Sequence, residues 1–129
     1  MNMKIYFPGG KKVYADFNGF THKTDQPVKT GGEGTAPPPF DLFLGSIGTC
    51  AGIYILGFCQ QRGIDTAGIE VTQSMEFDPV KRMFSKINLE IKLPKSFPEK
   101  YKSAVIQAAG LCAVKKHIED PPEFNVFTV

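Results

Sequence analysis

Three consecutive prolines, Pro37 to Pro39, stand immediately before the longest apolar stretch of the chain. Proline fixes φ and lacks an N–H donor. A helix is therefore disfavoured in the residues that precede it, whereas proline suits the first turn of a helix that follows. The pattern predicts one long helix from about Phe40 to Gln61, with Gly63 as its C-terminal cap. Asp41 falls in the first turn, where a carboxylate suits the positive end of the helix dipole. Interrupting glycines and flanking prolines favour a core helix over a membrane span.

Segments on both sides of this helix alternate apolar and polar residues, which is typical of half-buried strands. The predicted strands are residues 4–7, 12–17 and 20–24 before the helix, and 69–77, 84–93 and 124–129 after it. Pro8-Gly9-Gly10 and Asn18-Gly19 are turn signals, and residues 25–39 are a loop by composition. Residues 98–110 and 111–118 are predicted to be helical. The order predicts an α+β fold with helices against antiparallel sheets, in a single domain over residues 1–129.

Charge and cysteine content limit the function classes. The formal net charge is +2 and the lysines are scattered, so neither nucleic acid nor a membrane surface is an expected partner. The start of the chain lacks the long apolar region of a secretion signal. Three cysteines without such a signal indicate a reducing compartment, and we therefore expect a cytoplasmic protein.

Two cysteines, Cys50 and Cys112, lie in segments of small residues that leave space around a sulfur atom. Two thiols that meet after folding can support peroxide chemistry, in which one is oxidised to sulfenic acid and the other captures it as a disulfide. Cys59 follows Cys50 by nine residues, which places it on roughly the opposite helix face and ~13 Å along the axis. That separation exceeds the ~7 Å between Cα atoms that a disulfide allows, so Cys59 is predicted to be structural.

Metal and phosphate sites are not indicated. Neither His22 nor His117 belongs to a metal-ligand spacing, and the chain has no Cys-x-x-Cys pair. The glycines of residues 31–34 lack the Lys-Ser/Thr that follows in a phosphate-binding loop. No metal and no cofactor are expected.

Two segments together resemble the OsmC/Ohr family. The first runs from Thr24 to Cys50 and includes Gly31-Gly32 and Ala36-Pro37-Pro38-Pro39-Phe40-Asp41. The second is Cys112-Ala113-Val114-Lys115-Lys116-His117-Ile118, followed by the predicted terminal strand. A proline-led helix with a cysteine about three turns in, plus Cys-x-Val on a second helical segment, is a specific pattern, and it extends over nearly the whole chain.

The resemblance implies an OsmC-like fold: an intertwined homodimer in which antiparallel sheets wrap around long central helices, with two active sites at the subunit interface. It implies that Cys50 attacks a small organic hydroperoxide or hydrogen peroxide and that Cys112 resolves the sulfenic acid as an intramolecular disulfide. A dithiol such as a lipoyl group would then reduce that disulfide. The implied function is that of a cofactor-free, thiol-dependent peroxidase.

The chain departs from the family pattern at two positions. Peroxidase members carry an arginine from the N-terminal region beside the reactive sulfur, whereas the only arginines here are Arg62 and Arg82. Lys23 or His22 would have to stand in, although lysine does not reproduce a planar bidentate donor. Those members also carry a glutamate where this chain has Phe40, so that Asp41 is the nearest acid.

These departures leave an alternative function open. The chain is then a non-catalytic, small-molecule-binding or stress-response dimer with vestigial thiols, or a structural dimerisation module. In the catalytic interpretation, Asp41 and Lys23 shape the charge around Cys50.

Overall fold

The computed structural model describes residues 1–129 and confirms the α+β class with antiparallel sheets. Five strands and three α-helices follow one another, and two short 3₁₀ turns lie at Val28–Thr30 and Glu99–Tyr101. Their bounds are β1 Lys4–Gly9, β2 Lys12–Phe17, β3 Phe20–Thr24, α1 Pro39–Gln61, β4 Glu70–Asp78, β5 Met83–Lys92, α2 Lys102–Ala109 and α3 Ala113–Glu119. The chain forms two compact units, Met1–Gly45 and Ser46–Val129, and α1 begins in the first and ends in the second. The single domain over residues 1–129 stays a prediction.

The first unit contains a three-stranded antiparallel sheet in the order β1-β2-β3. The turn between β2 and β3 consists of Asn18 and Gly19, with φ values of 50° and 80°. A two-residue turn with both φ values positive matches the twist of the strands that it joins, and Asn-Gly is its preferred sequence. The predicted turn and third strand are therefore confirmed.

One buried carboxylate organises the loop that follows β3. Asp25 is fully buried and accepts hydrogen bonds from the backbone N–H groups of Gln26, Glu33 and Thr35, at 2.7, 3.3 and 3.0 Å. The Thr35 hydroxyl donates a further bond of 2.7 Å. The two bonds from Thr35, followed by those from Gln26 and Glu33, lower the pKa of Asp25 to about 2 against the opposing effect of desolvation. Side-chain bonds of this kind replace the backbone ladder that a loop lacks.

The second unit contains the β4–β5 hairpin, whose register runs from Glu70 opposite Lys92 to Asp78 opposite Met83. Its core is formed by one face of α1 together with residues from α2 and the preceding loop. The buried residues of this core are Ala51, Ile55, Phe58, Cys59, Phe97, Val105 and Ala109. Cys59 is fully buried, in agreement with a structural role.

Helix α1 is long and apolar enough to span a membrane by length and composition alone, but core helices of soluble proteins meet the same criterion. Its buried residues within the second unit follow helical spacing, at Ile47, Ala51, Ile55 and Phe58. Ile53 and Tyr54 on the same helix are 57% and 37% exposed. Within this chain α1 therefore buries only one of its faces. The sequence predicts a core helix, which would bury more of its surface.

The C-terminal region differs from the prediction in two ways. The predicted helix over residues 98–110 divides into the 3₁₀ turn Glu99–Tyr101 and helix α2. Residues 121–129 form no strand, so the predicted terminal strand is wrong for the single chain. The apolar alternation is present, but Val126 and Phe127 are 99% and 79% exposed. A strand exists only through hydrogen bonds to a neighbouring strand, and none pairs with this segment.

Candidate functional site

Helix α1 presents Cys50 beside its buried face. Ala51 next to it is fully buried, whereas Cys50 itself is half-buried and its thiol is free of any disulfide. The helix therefore holds this sulfur at the boundary between core and surface, where a thiolate keeps contact with polar groups.

Cys112 lies between the end of α2 and the start of α3. Gly110 follows α2 as its C-cap, and its N–H donates to the carbonyls of Ile106 and Gln107 at 3.3 and 3.1 Å. Cys112 then becomes the N-cap of α3. Its side chain is 2% exposed, and its sulfur accepts a hydrogen bond of 3.4 Å from the backbone N–H of Lys115. A residue with an acceptor side chain at this position satisfies one of the free N–H groups of the first helical turn.

The fold brings the two sulfurs together. The thiols of Cys50 and Cys112 are neighbours, and each changes the pKa of the other. The Cys112 sulfur also lies 3.9 Å from the carbonyl oxygen of Ile47, one turn before Cys50 on α1, to which it donates. The predicted meeting of these two cysteines is therefore present in the structure, while their catalytic roles stay predictions.

The environments of the two thiols change their pKa values in opposite directions. The backbone N–H of Val114, then the Cys112 thiol and the N–H of Ala113, hydrogen-bond to Cys50 and lower its pKa, although burial opposes them. Burial raises the pKa of Cys112, and the neighbouring Cys50 adds to this effect. The backbone N–H groups of Lys115 and Val114 oppose it. The thiolate is the nucleophilic form of a cysteine, and the directions of the two pKa changes favour it at Cys50.

The backbone N–H groups of Ala113 and Val114 are the functional groups that sequence reasoning missed. Residue types do not identify them, because every residue except proline carries an N–H. The available signal was the position of Cys112 just before a short helical segment, where N–H groups lack intrahelical acceptors. These groups lower the pKa of Cys50.

Arg62 is held by two aromatic rings. The guanidinium of Arg62 lies 3.7 Å from the ring centroid of Phe58 and 5.4 Å from that of Tyr101. It also donates a 3.2 Å hydrogen bond to the Phe58 carbonyl. Arg82 lies in the turn of the β4–β5 hairpin with a φ of 54°. Through these cation–π contacts, Arg62 connects α1 to the 3₁₀ turn before α2.

The other predicted site residues belong to the first unit. Asp41 lies in the first turn of α1, and its backbone N–H donates to the Pro38 carbonyl at 3.0 Å. Lys23 lies on β3 opposite Tyr14, with its ammonium 5.9 Å from the centre of the tyrosine ring. The roles of Asp41 and Lys23 in shaping the charge around Cys50 stay predictions.

A groove of about 600 Å³ shares two residues with the thiol site, Ile47 and Lys115. Its walls are largely apolar side chains of β5, α2 and α3, such as Ile87, Ile106 and Ile118. A volume of this size is typical of a small-molecule site. No cluster of three or more histidine, cysteine, aspartate or glutamate side chains that could hold a metal ion is present.

The backbone donor to Cys50 can be tested by exchanging Val114 for proline. We expect Val114→Pro to raise the pKa of Cys50, because it removes the N–H that stabilises the thiolate most, and an N–H at the second helical position has no acceptor within the helix. The pH profile of iodoacetamide alkylation at Cys50 should shift to higher pH, and the rate at neutral pH should fall several-fold. Val114→Ala keeps the N–H and is the matched control. An unchanged profile in Val114→Pro would contradict this assignment.

The model of the family described as OsmC-like protein matches residues 32–127. A structure from Psychrobacter arcticus 273-4, named for an osmotic stress induced and detoxification response, is 28% identical with a TM-score of 0.69, over 90% of this chain and 86% of its own. An organic hydroperoxide resistance protein from Legionella pneumophila is 19% identical with a TM-score of 0.53, over 92% and 89%. The organic hydroperoxide resistance protein OhrB of Bacillus subtilis is also 19% identical, with a TM-score of 0.51, over 91% and 90%. A comparison with curated proteins found none that matches.

Proposed function

The chain belongs to the OsmC-like protein family, and from this premise we propose that it is a thiol-dependent peroxidase that reduces hydroperoxides through Cys50 and Cys112. The observation that carries the proposal is the proximity of the two thiols. The Cys112 sulfur lies 3.9 Å from the Ile47 carbonyl, one turn before Cys50 on α1, and the pKa values of the two cysteines change in opposite directions. The similarity to organic hydroperoxide resistance proteins supports it at the level of the fold.

The proposed cycle begins with the Cys50 thiolate. It attacks the terminal oxygen of the hydroperoxide, the O–O bond breaks, and the alcohol leaves with a proton while Cys50 becomes a sulfenic acid. The sulfur of Cys112 then attacks the Cys50 sulfur, a disulfide forms, and water leaves. A dithiol reductant restores both thiols and is itself oxidised to a disulfide.

In this cycle the protein lowers the pKa of the Cys50 thiol and positions Cys112 beside it. The N–H groups of Val114 and Ala113 stabilise the thiolate that starts it. The neighbouring Cys112 needs only a small movement to reach the oxidised sulfur. Asp41 and Lys23 are proposed to adjust the local charge, and the groove beside Ile47 is proposed to admit the apolar part of a small hydroperoxide.

We further propose that the active form is a cytoplasmic homodimer. Helix α1 leaves Ile53 and Tyr54 exposed next to Gly52 and Gly57, where an added Cβ would meet no atom within 4 Å. Apolar side chains beside glycines form a surface on which a second helix can pack closely. Partners beyond the second copy are the hydroperoxide and the dithiol.

The alternative is a non-catalytic dimer that binds a small molecule and whose thiols do not cycle. The observation that favours it is the engagement of Arg62, one of the two arginines of the chain, with the rings of Phe58 and Tyr101. Without a guanidinium, the orientation of the peroxide has to come from other groups.

Thiol titration during exposure to tert-butyl hydroperoxide separates the two functions. We expect one equivalent of peroxide to remove two free thiols per chain rapidly and to leave an intramolecular Cys50–Cys112 disulfide in the peptide map. Oxidation at the slow rate of free cysteine in solution would support the non-catalytic dimer instead.

A further inference from the structure

Helix α3 depends on Cys112 for its attachment to the rest of the unit. The helix has seven residues, and none of its side chains is buried. A helix this short is marginal in water, so its stability comes from caps and packing. The buried residue at its start is Cys112, and the segment after it, residues 121–129, is exposed.

The sulfur of Cys112 makes this attachment in the reduced protein. It accepts the N–H of Lys115 at 3.4 Å and donates to the Ile47 carbonyl at 3.9 Å. The neighbouring N–H groups of Ala113 and Val114 hydrogen-bond to Cys50. Two sulfurs thus satisfy the first-turn N–H groups of α3.

Disulfide formation changes each of these contacts. The two sulfurs approach to about 2.05 Å, and neither keeps a proton or a negative charge. The bond to the Ile47 carbonyl loses its donor, and the N–H groups of Ala113 and Val114 lose a thiolate acceptor. The cap from Lys115 is weakened because the Cys112 sulfur moves toward Cys50.

We propose that closing the Cys50–Cys112 disulfide loosens α3, and that the loosened helix opens the buried Cys112 sulfur to the reductant. This inference rests on the disulfide of the proposed function and adds the route by which that disulfide is reduced. Lys115, Ile118 and Glu119 of α3 also line the groove, so loosening of the helix opens one wall of it.

The chemistry of reduction directs the reductant to Cys112. In thiol–disulfide exchange the sulfur that leaves is preferably the better-stabilised thiolate. Cys50 regains that stabilisation when α3 docks again on the released sulfur, so the attacking thiolate bonds to the Cys112 sulfur and Cys50 leaves as a thiolate. The second thiol of the reductant then attacks the reductant's other sulfur, which is bonded to Cys112. The reductant becomes a disulfide and Cys112 is released. In the reduced protein Cys112 is only 2% exposed, which requires an opening for this attack.

Limited trypsin digestion compares the two states of the full chain. Diamide closes the disulfide by accepting two hydrogens, so no peroxide is needed. We expect cleavage after Lys115 and Lys116 to become about tenfold faster in the oxidised protein, within the range for loss of an N-cap. Cleavage after Lys81, in the β4–β5 turn, serves as the internal reference and should not change.

The matched control is Cys112→Ser, which cannot form the disulfide but keeps an N-cap side chain. Diamide should leave its cleavage after Lys115 unchanged, and Cys50→Ala should behave in the same way. Equal cleavage of reduced and oxidised wild type, with the disulfide verified by mass, would overturn the inference and leave the proposed function standing. If diamide formed the disulfide and peroxide did not, the proposed function alone would be contradicted. If diamide failed to join the two cysteines, both the proposed function and the inference about α3 would be overturned.

Discussion

Replacing Cys50 with serine is expected to lower the rate of tert-butyl hydroperoxide reduction by at least about 1000-fold, because a neutral hydroxyl replaces the thiolate that is proposed to attack the peroxide. The hydroxyl is not ionised near neutral pH, and the N–H groups of Ala113 and Val114 would then have no anion to stabilise. Peroxide consumption in the presence of a dithiol, followed by the ferrous–xylenol orange colour reaction, measures the loss.

Cys112→Ser provides the comparison that separates nucleophile from resolver. This variant keeps the Cys50 thiolate, so we expect it to consume about one equivalent of peroxide per chain at a rate close to wild type and then to stop. Mass spectrometry should find one added oxygen on Cys50, followed by further oxidation. Equal residual activity in the two variants would contradict the assigned roles. Circular dichroism of both variants checks that each is folded.

Replacing Gly32 with alanine is expected to destabilise the protein by ~3 kcal/mol or more, with a decrease in Tm of roughly 10 °C. A Cβ on Gly32 would lie 1.9 Å from the Gln26 carbonyl oxygen and 2.4 Å from its carbon. Both are backbone atoms, and the same Gln26 oxygen accepts the N–H of Gly34 at 3.1 Å, so the loop has little freedom to move away. Thermal unfolding followed by circular dichroism measures the change.

Gly45→Ala is the control for a glycine with open space. An added Cβ there meets no atom within 4 Å, and the residue lies within α1, where alanine is favoured over glycine by about 1 kcal/mol. We expect an unchanged or slightly higher Tm. If Gly32→Ala unfolded at the same temperature as wild type, the tight contact with Gln26 would be wrong.

The parts of the fold that depend on local sequence could be predicted. Asn18-Gly19 identifies its turn because few residues tolerate two positive φ values, and Pro37 to Pro39 identify the start of α1 because proline restricts what precedes a helix. Residues 124–129 have the alternation of a strand but no neighbouring strand, and alternation carries no information about whether a partner exists.

The site was predictable only where residue type carries the chemistry. Cysteine at positions 50 and 112 indicates redox chemistry, and the family resemblance paired the two. The N–H groups of Ala113 and Val114 belong to ordinary residues, and their role follows from where α3 meets α1. Asp25 was assigned only to a loop, because one acidic residue among polar neighbours does not show that four hydrogen bonds converge on it.

The unequal burial of the three cysteines has a practical consequence for bioconjugation. Cys59 is fully buried and its pKa is raised by desolvation, while Cys112 is nearly inaccessible in the reduced protein. Cys50 combines partial exposure with a lowered pKa. We therefore expect a maleimide fluorophore to attach to the native chain at Cys50 alone, without removal of the other cysteines, and to report on the surroundings of this thiol.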